Sequence, residues 1–308
     1  MLDLHKLRVF YVVAQEGSFS AAAERLYITQ SAVSQQIKEL EASLGQPLFE
    51  REWRGVRLTP SGEVLTDYTR QIFDLIAQAE NALTNVQQLA SGKISLGATP
   101  GIGVYLAPLW VQGFRARYSH LTVALNTGIT AQVVGDVLAH RIDLGIIEGE
   151  LDDLTPPRLG HVIMAQVEQK IVVGSKHPYW HAPQVDAADL GTQSFITRQQ
   201  NSQSRIWLER TLKRLGIDPM IGAEFDNIES IKRAVSAGTC VAVLPAYVIQ
   251  TEVEQNVLRA VPVDGQPFVR EIKLVWDRDV RFSPVVRAFI DYLSTDYPTV
   301  HTADGIRR

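Results

Sequence analysis

The 308-residue chain has a single cysteine, Cys240, so neither an intrachain disulfide nor a multi-cysteine zinc site can form. Long apolar runs are missing too. Stretches such as Val241-Ala242-Val243-Leu244 fall far short of the roughly 18 residues a membrane helix needs. The opening Met1-Leu2-Asp3-Leu4-His5-Lys6 has no charged segment followed by an apolar one, so secretion is not expected and a cytoplasmic location is. There is no excess of positive charge. The net charge is −4, and the first sixty residues balance Lys6, Arg8, Arg25, Lys38, Arg51, Arg54 and Arg57 against Asp3, Glu16, Glu24, Glu39, Glu41, Glu50 and Glu52. Any phosphate contact therefore depends on where charges sit, with Lys38, Arg51, Arg54 and Arg57 able to share one side while Glu39 and Glu41 face another.

What is present is an ordinary soluble composition, 45% apolar and 21% charged, on a chain long enough for two or more domains. The first sixty residues predict three helices and a hairpin. Leu4, Leu7, Phe10, Tyr11 and Ala14 give a helical stripe from Asp3 to Glu16, closed by Gly17. Ser18 or Ser20 can cap a short alanine-rich helix ending at Leu26, and Thr29 can cap a third running to Gly45. In that third helix Val33, Ile37, Leu40 and Leu44 form the buried stripe, leaving Ser31, Ser34, Gln35 and Lys38 off it. A helix with a small polar outer face can lie in a DNA major groove. Residues 47–51 and 56–58 read as strands joined through Trp53-Arg54-Gly55, a wing beside that helix.

Thr59-Pro60 then opens a long helix on which Leu65, Tyr68, Ile72, Leu75, Ala79, Ala82, Val86 and Leu89 step by alternating three and four. A heptad seam this long wants a partner helix. It stops near Ser91-Gly92, and beyond Lys93 short strands alternate with helices, an α/β signature. Strands are expected at 94–98, 121–125, 144–147, 170–173 and 241–244, and helices at Gly103–Tyr118, Ala131–His140, Ser204–Leu215 and Ile228–Ala237.

Catalytic constellations are not evident. The seven histidines form no metal-ligand cluster, and the His177/His181 step is interrupted by Pro178, with Pro183 close behind, so no helix is expected there. Asp152-Asp153 falls in an expected loop beside Pro156-Pro157, and Cys240 in an apolar run reads as core. Neither a Gly-x-Ser-x-Gly elbow nor a phosphate-cradling glycine loop occurs. An enzyme is not expected, and neither a metal nor a cofactor.

The residues Phe10-Tyr11-Val12-Val13-Ala14, Gly17-Ser18-Phe19-Ser20-Ala21-Ala22-Ala23, 29–37 (TQSAVSQQI), Leu40-Glu41, Leu48-Phe49-Glu50-Arg51 and Leu58-Thr59-Pro60-Ser61-Gly62 resemble the LysR-type transcriptional regulators. The resemblance covers almost the whole chain. It implies an α+β multidomain protein: a winged helix-turn-helix at 1–59, a dimerising linker helix at 60–91, and an effector-binding domain at 92–308. That last domain has two α/β lobes of periplasmic-binding-protein type, lobe I at 92–162 and 268–308, lobe II at 163–267. Residues 126–130 (NTGIT), 143–149 (DLGIIEG) and Ile196-Thr197-Arg198 are similar to the subgroup controlling carbon-fixation or sulfur-assimilation operons. Where that subgroup often carries a Gly-Ser-Gly-Thr-Arg-like run, this chain has Asn201-Ser202-Gln203-Ser204-Arg205.

For DNA, the resemblance puts Gln30 and Ser34 first as base readers, with Gln35 standing where many relatives have a basic residue; glutamine can bond an adenine edge bidentately. Thr29, Ser31 and Lys38 are expected on phosphate, and Arg54 at the wing tip in the minor groove. For the effector, Thr99-Pro100-Gly101 and residues 127–130 each follow a strand and open a helix, where N–H groups favour anions. Thr99, Thr130, Thr197 and Ser202 add hydroxyls, and Arg198 and Arg205 supply charge for a carboxylate or phosphate. Thr99 and Thr130 also read as plain helix caps. The expected partners are double-stranded promoter DNA, a small anionic metabolite and a second copy of the chain, as homodimer or homotetramer. RNA polymerase joins them if the protein activates; no membrane does. A solute-binding protein oligomerised by its N-terminal helices is the alternative.

Overall fold

A computed structural model describes residues 2–52, 55–84, 92–151, 156–264 and 268–302. The chain divides into two compact units, Met1–Thr84 and Asn85–Arg308.

In the first unit, the Asp3 carboxylate accepts from His5 N at 2.7 Å, making Asp3 the cap and starting α1 (Leu4–Glu16) one residue later than the apolar pattern places it. Gly17 closes α1 at φ +61°, a left-handed conformation that any side chain would strain. Ser18 caps α2 (Phe19–Leu26) and Thr29 caps α3 (Gln30–Leu44). Leu7, Phe10, Val13, Ala22, Val33, Ile37, Leu40 and Leu48 form one core. Leu44, expected on the buried stripe, is 37% exposed, because the last turn of α3 runs past the edge of that core.

The wing is a hairpin of β1 (Phe49–Glu52) and β2 (Gly55–Leu58), with Phe49 opposite Leu58. Glu41 ties it to α3: its Oε1 accepts from Leu48 N at 2.8 Å and Phe49 N at 3.3 Å. Gly62 N donates to Thr59 Oγ1 at 3.0 Å at the start of α4 (Pro60–Thr84), where Pro60 loses nothing by lacking an N–H. The apolar residues of α4 face two ways. Leu65, Ile72 and Phe73 pack on the unit's own core, while Val64, Tyr68 and Leu75 are exposed. The expected seam is thus divided between core and surface as far as Leu75. The Ala79 and Ala82 side chains, and residues Val86 and Leu89, lie outside the described residues.

In the second unit, β3 (Gly92–Ala98) lies between the parallel strands β4 (Leu121–Thr127) and β5 (Leu144–Glu148). Every residue of β5 is buried, which is why it reads as an uninterrupted apolar run rather than an alternating one. Antiparallel β11 (Phe268–Asp277) and β6 (Leu159–Gly174) extend this sheet. The helix expected over 103–118 is two, α5 (Pro100–Tyr105) and α6 (Ala107–Arg117), broken at Leu106. Pro108 has no N–H to give back to the preceding turn. The helix α7 (Thr130–Leu138) and the last long helix, Pro284–Ser294, complete this lobe.

The strand expected at 170–173 is the end of β6, a 16-residue element that passes from one lobe to the other. Gln169 marks the crossing, opposite Phe268 of β11 on one side and Pro245 of β9 (Ala242–Pro245) on the other. Lobe II adds β10 (Leu258–Val261) beside β6 and the parallel pair β7 (Ser194–Arg198) and β8 (Met220–Phe225). Its helices are α8 (Gln203–Arg214), α9 (Ile228–Ala237) and α10 (Ala246–Glu254). His177 and His181 bracket a single 3-10 turn over Pro178–His181, since proline is tolerated in a first turn. His177 Nδ1 accepts from Tyr179 N at 3.0 Å and its Nε2 meets Gln193 Oε1 at 3.2 Å, a structural role. Cys240 is partly buried against lobe II core residues. The Asp152-Asp153 pair lies outside the described residues, and among the described residues no helix is long and apolar enough to cross a membrane.

Candidate functional site

The outer face of α3 carries most of the residues expected to meet DNA. With Val33, Ile37 and Leu40 turned inward, Gln30, Ser31, Gln35 and Lys38 are exposed and Ser34 is half-buried. Gln30, Ser34 and Lys38 make no hydrogen bond through their side chains among the described residues, so all three can be taken up by a partner. Thr29 Oγ1 accepts from Ala32 N at 3.2 Å and sits 3.0 Å from Ser31 Oγ, so both hydroxyls are spent on the helix start. Gln35 Nε2 donates to Glu39 Oε1 at 2.8 Å. Glu39 also pairs with Lys6 at 2.7 Å, and the hydrogen bond from Lys6 holds its carboxyl below the ordinary carboxylate value. This removes Glu39 as a free negative charge beside the polar face and takes Lys6 out of phosphate contact. Arg57 pairs with Glu50 across the wing at 2.9 Å, whereas Arg54 lies outside the described residues.

The second unit has a cleft lined from both lobes. All seven residues expected to hold an effector, Thr99, Pro100, Thr130, Thr197, Arg198, Ser202 and Arg205, line it. They come from the ends of β3 and β7 and the starts of α7 and α8, the carboxyl-end crevice where α/β sheets hold ligands. Neither threonine hydroxyl caps its helix, although Thr99 stands at the N-cap of α5. Thr99 Oγ1 instead accepts from Glu148 N at 3.1 Å, fastening β3 to β5. Ile129, not Thr130, is the cap residue of α7, leaving the buried Thr130 hydroxyl without a hydrogen bond among the described residues. Ser202 does cap α8, accepting from Arg205 N at 3.2 Å.

The cations in the cleft differ in their partners. Arg205 is spent: its Nε donates to Glu209 at 2.6 Å, and its Nη1 reaches Thr197 Oγ1 and, at 3.4 Å, Glu224. Its charge is therefore shared with two carboxylates before any anion enters. Arg270, 3% exposed, is also neutralised, donating from Nη1 to Glu148 Oε1 at 2.9 Å and from Nη2 to Glu148 O at 2.7 Å. Gly149 permits this grip. It stands at φ +121°, and a Cβ there would run into the Arg270 guanidinium. Arg198 is different. It is 8% exposed, and among the described residues no hydrogen bond or ion pair reaches its guanidinium, whose Nε is fully enclosed. Burial pushes its pKa below the ordinary arginine value, with the charge of Asp226 opposing.

Sequence reasoning misses the floor of the cleft. Glu148 is held by the buried Arg270 and Gln169, the latter donating from Nε2 at 3.0 Å, and by the half-buried Tyr247, whose OH donates at 2.5 Å. Burial and the neighbouring Glu148 charge raise the Tyr247 hydroxyl well above the ordinary tyrosine value, so it stays a donor. The available signal was one of position: Glu148 ends an apolar parallel strand, and Arg270 interrupts the apolar pattern of another. Among the described residues no cluster of metal-ligating side chains occurs.

Comparison with known proteins agrees with this layout. Residues 4–63 match the model of bacterial regulatory helix-turn-helix proteins of the lysR family, and residues 87–297 match the LysR substrate binding domain. A protein of Cyanidioschyzon merolae named as a probable RuBisCO transcriptional regulator is 33% identical over 272 residues, covering 87% of this chain and 90% of its own length. One of the same name from Trichormus variabilis is 31% identical over 299 residues, covering 96% and 89%. The crystal structure of full-length CbnR complexed with its target DNA shares the fold at a TM-score of 0.74 and 21% identity, covering 96% of this chain and 100% of that one. With both models matched in order and most of its length shared with regulators, the chain belongs to the LysR family: a DNA-binding transcriptional regulator with an effector-binding domain, not an enzyme.

Proposed function

We propose that the protein reads a promoter through α3 and that a small anionic metabolite in the inter-lobe cleft modulates that binding. The observation that carries the effector half is Arg198, a buried cation without a partner among the described residues, in a cleft also lined by Thr130 and Ser202. A buried unpaired charge is costly, and an anion between the lobes would relieve it. Gln30 and Ser34 are the base readers in this account, with Lys38, Ser31 and Thr29 near phosphate and Arg54 in the minor groove. The effector must bind one arrangement of the assembly better than another, or it shifts nothing.

The functional segments are then 1–59 for DNA, 60–91 for pairing and 92–308 for the effector, the expected lobes at 92–162 plus 268–308 and at 163–267 sharing strand β6, which crosses between them at Gln169. Exposed Val64, Tyr68 and Leu75 on α4 favour pairing of two copies, as dimer or as pairs within a tetramer. Two paired heads would meet successive major-groove faces about 34 Å apart, or a multiple of that. The name carried by the relatives favours a carbon-fixation operon as target; a cytoplasmic location, and contact with RNA polymerase where the protein activates, belong to the same proposal. A solute-binding protein with merely oligomerising N-terminal helices is disfavoured by the helix-turn-helix match.

The test measures binding of the full chain to labelled upstream DNA in the presence of fractions of acidic metabolites, with Arg198→Met beside the wild type. The expected result is a fraction that changes DNA binding of the wild type alone, with ligand-free DNA affinity equal in both. A response retained in the variant contradicts the cleft assignment.

A further inference from the structure

The cleft's charge balance says what kind of anion fits. We infer that the effector is a monocarboxylate with an otherwise uncharged body, its one charge held by Arg198 alone. This rests on the cleft being the effector site, and it narrows that reading. Three arginines line the cavity. Arg205 faces Glu209 and Glu224, and Arg270 faces Glu148, so each is already balanced. Arg198 remains, with Asp226 felt through its field but outside ion-pair range. One planar guanidinium matches one carboxylate in a two-point grip. A second negative group on the ligand would find no free cation and would share the cavity with Glu148, whose own two carboxylate oxygens are taken by Arg270, Gln169 and Tyr247. The rest of the lining is uncharged, the apolar Ile196, Leu208, Val243 and Leu244 standing beside the polar Thr130, Ser202 and Gln203, so it offers no further cation.

The test titrates the full-length protein calorimetrically with hexanoate, with adipate (the six-carbon diacid) and with methyl phosphate, at matched ionic strength. Hexanoate is expected to bind. Adipate and methyl phosphate, both mostly doubly charged near neutrality, are expected to bind at least about tenfold more weakly, since the extra charge enters buried and unpaired. Arg198→Met is expected to lose hexanoate binding. Adipate or methyl phosphate binding as tightly as hexanoate, and lost in Arg198→Met, overturns the single-charge inference and leaves the cleft as effector site. Binding that survives Arg198→Met, or no binding by any of the three acids, overturns both. A second readout needs no ligand. Arg198→Met is expected to melt above the wild type because an unpaired buried charge is gone, and Arg205→Met below it because Glu209 and Glu224 lose their partner. Melting of Arg198→Met below the wild type overturns the inference.

Discussion

The reading face of α3 and the inter-lobe cleft solve opposite problems. On α3 the side chains proposed to meet DNA come from one stretch, 29–38, and are exposed apart from the half-buried Ser34, held from behind by Val33, Ile37 and Leu40. In the cleft the polar side chains are buried and come from separate stretches of chain around 99, 130, 148, 169, 198–205 and 270. A surface that must meet a polyanion keeps Gln30, Ser34 and Lys38 unengaged. A cavity that must take a small ligand cannot leave polar groups loose, so it satisfies nearly all of them internally and leaves Arg198 and Thr130 open. On the proposed reading, specificity sits where the internal hydrogen bonding stops.

The contrast is broken most severely from inside the cleft. Glu148→Ala leaves Arg270 buried and unpaired, and unfolding of the effector-binding unit is expected to cost about 3–5 kcal/mol less. Denaturant unfolding followed by tryptophan fluorescence measures it; an unchanged midpoint would mean the pair is dispensable. Leu40→Ala strikes the other unit. It opens a cavity under α3 and should lower stability there by about 2–5 kcal/mol, weakening DNA binding while calorimetric ligand affinity stays put. Loss of ligand affinity in the same variant would deny the two sites their independence.

Smaller changes sharpen the distinction. Gln30→Ala and Ser34→Ala are each expected to reduce discrimination between specific and scrambled duplex by about 1–3 kcal/mol, seen in competition binding, without moving the melting temperature. Undiminished discrimination in both would move readout off α3. The smallest effect is on pH dependence. Burial holds His177 below the ordinary value of 6.5, so the unfolded chain binds its proton more readily and stability falls as pH drops below that value. His177→Gln should flatten that decline in a pH series of unfolding curves; an identical slope would assign it to other groups.

The comparison also explains what was legible in the chain. Caps and local stripes are short-range physics, so Ser18, Thr29, Thr59 and the α3 face were readable, as were the strands buried on both faces. Leu44 and the divided α4 seam were not, because whether an apolar stripe is covered depends on where the core ends. The cleft was half legible. Residues at strand ends and helix starts, Thr99, Thr130, Thr197, Arg198 and Ser202, followed from the α/β pattern and the resemblance. Partnering did not: nothing at position 205 reveals that Glu209 and Glu224 claim its arginine, or that Glu148 and Arg270, 122 positions apart, meet. Spacing shows which residues reach a site, while long-range pairing decides which of them are free.

The central claim is that this chain is a regulator whose α3 reads DNA. It is tested most directly by titrating the full-length protein against its own upstream intergenic duplex and a scrambled duplex at two salt concentrations. The account predicts selective binding to the upstream duplex that weakens as salt rises, through release of ions condensed on the phosphates. Absence of binding to either duplex, or equal binding to both that is indifferent to salt, would contradict it.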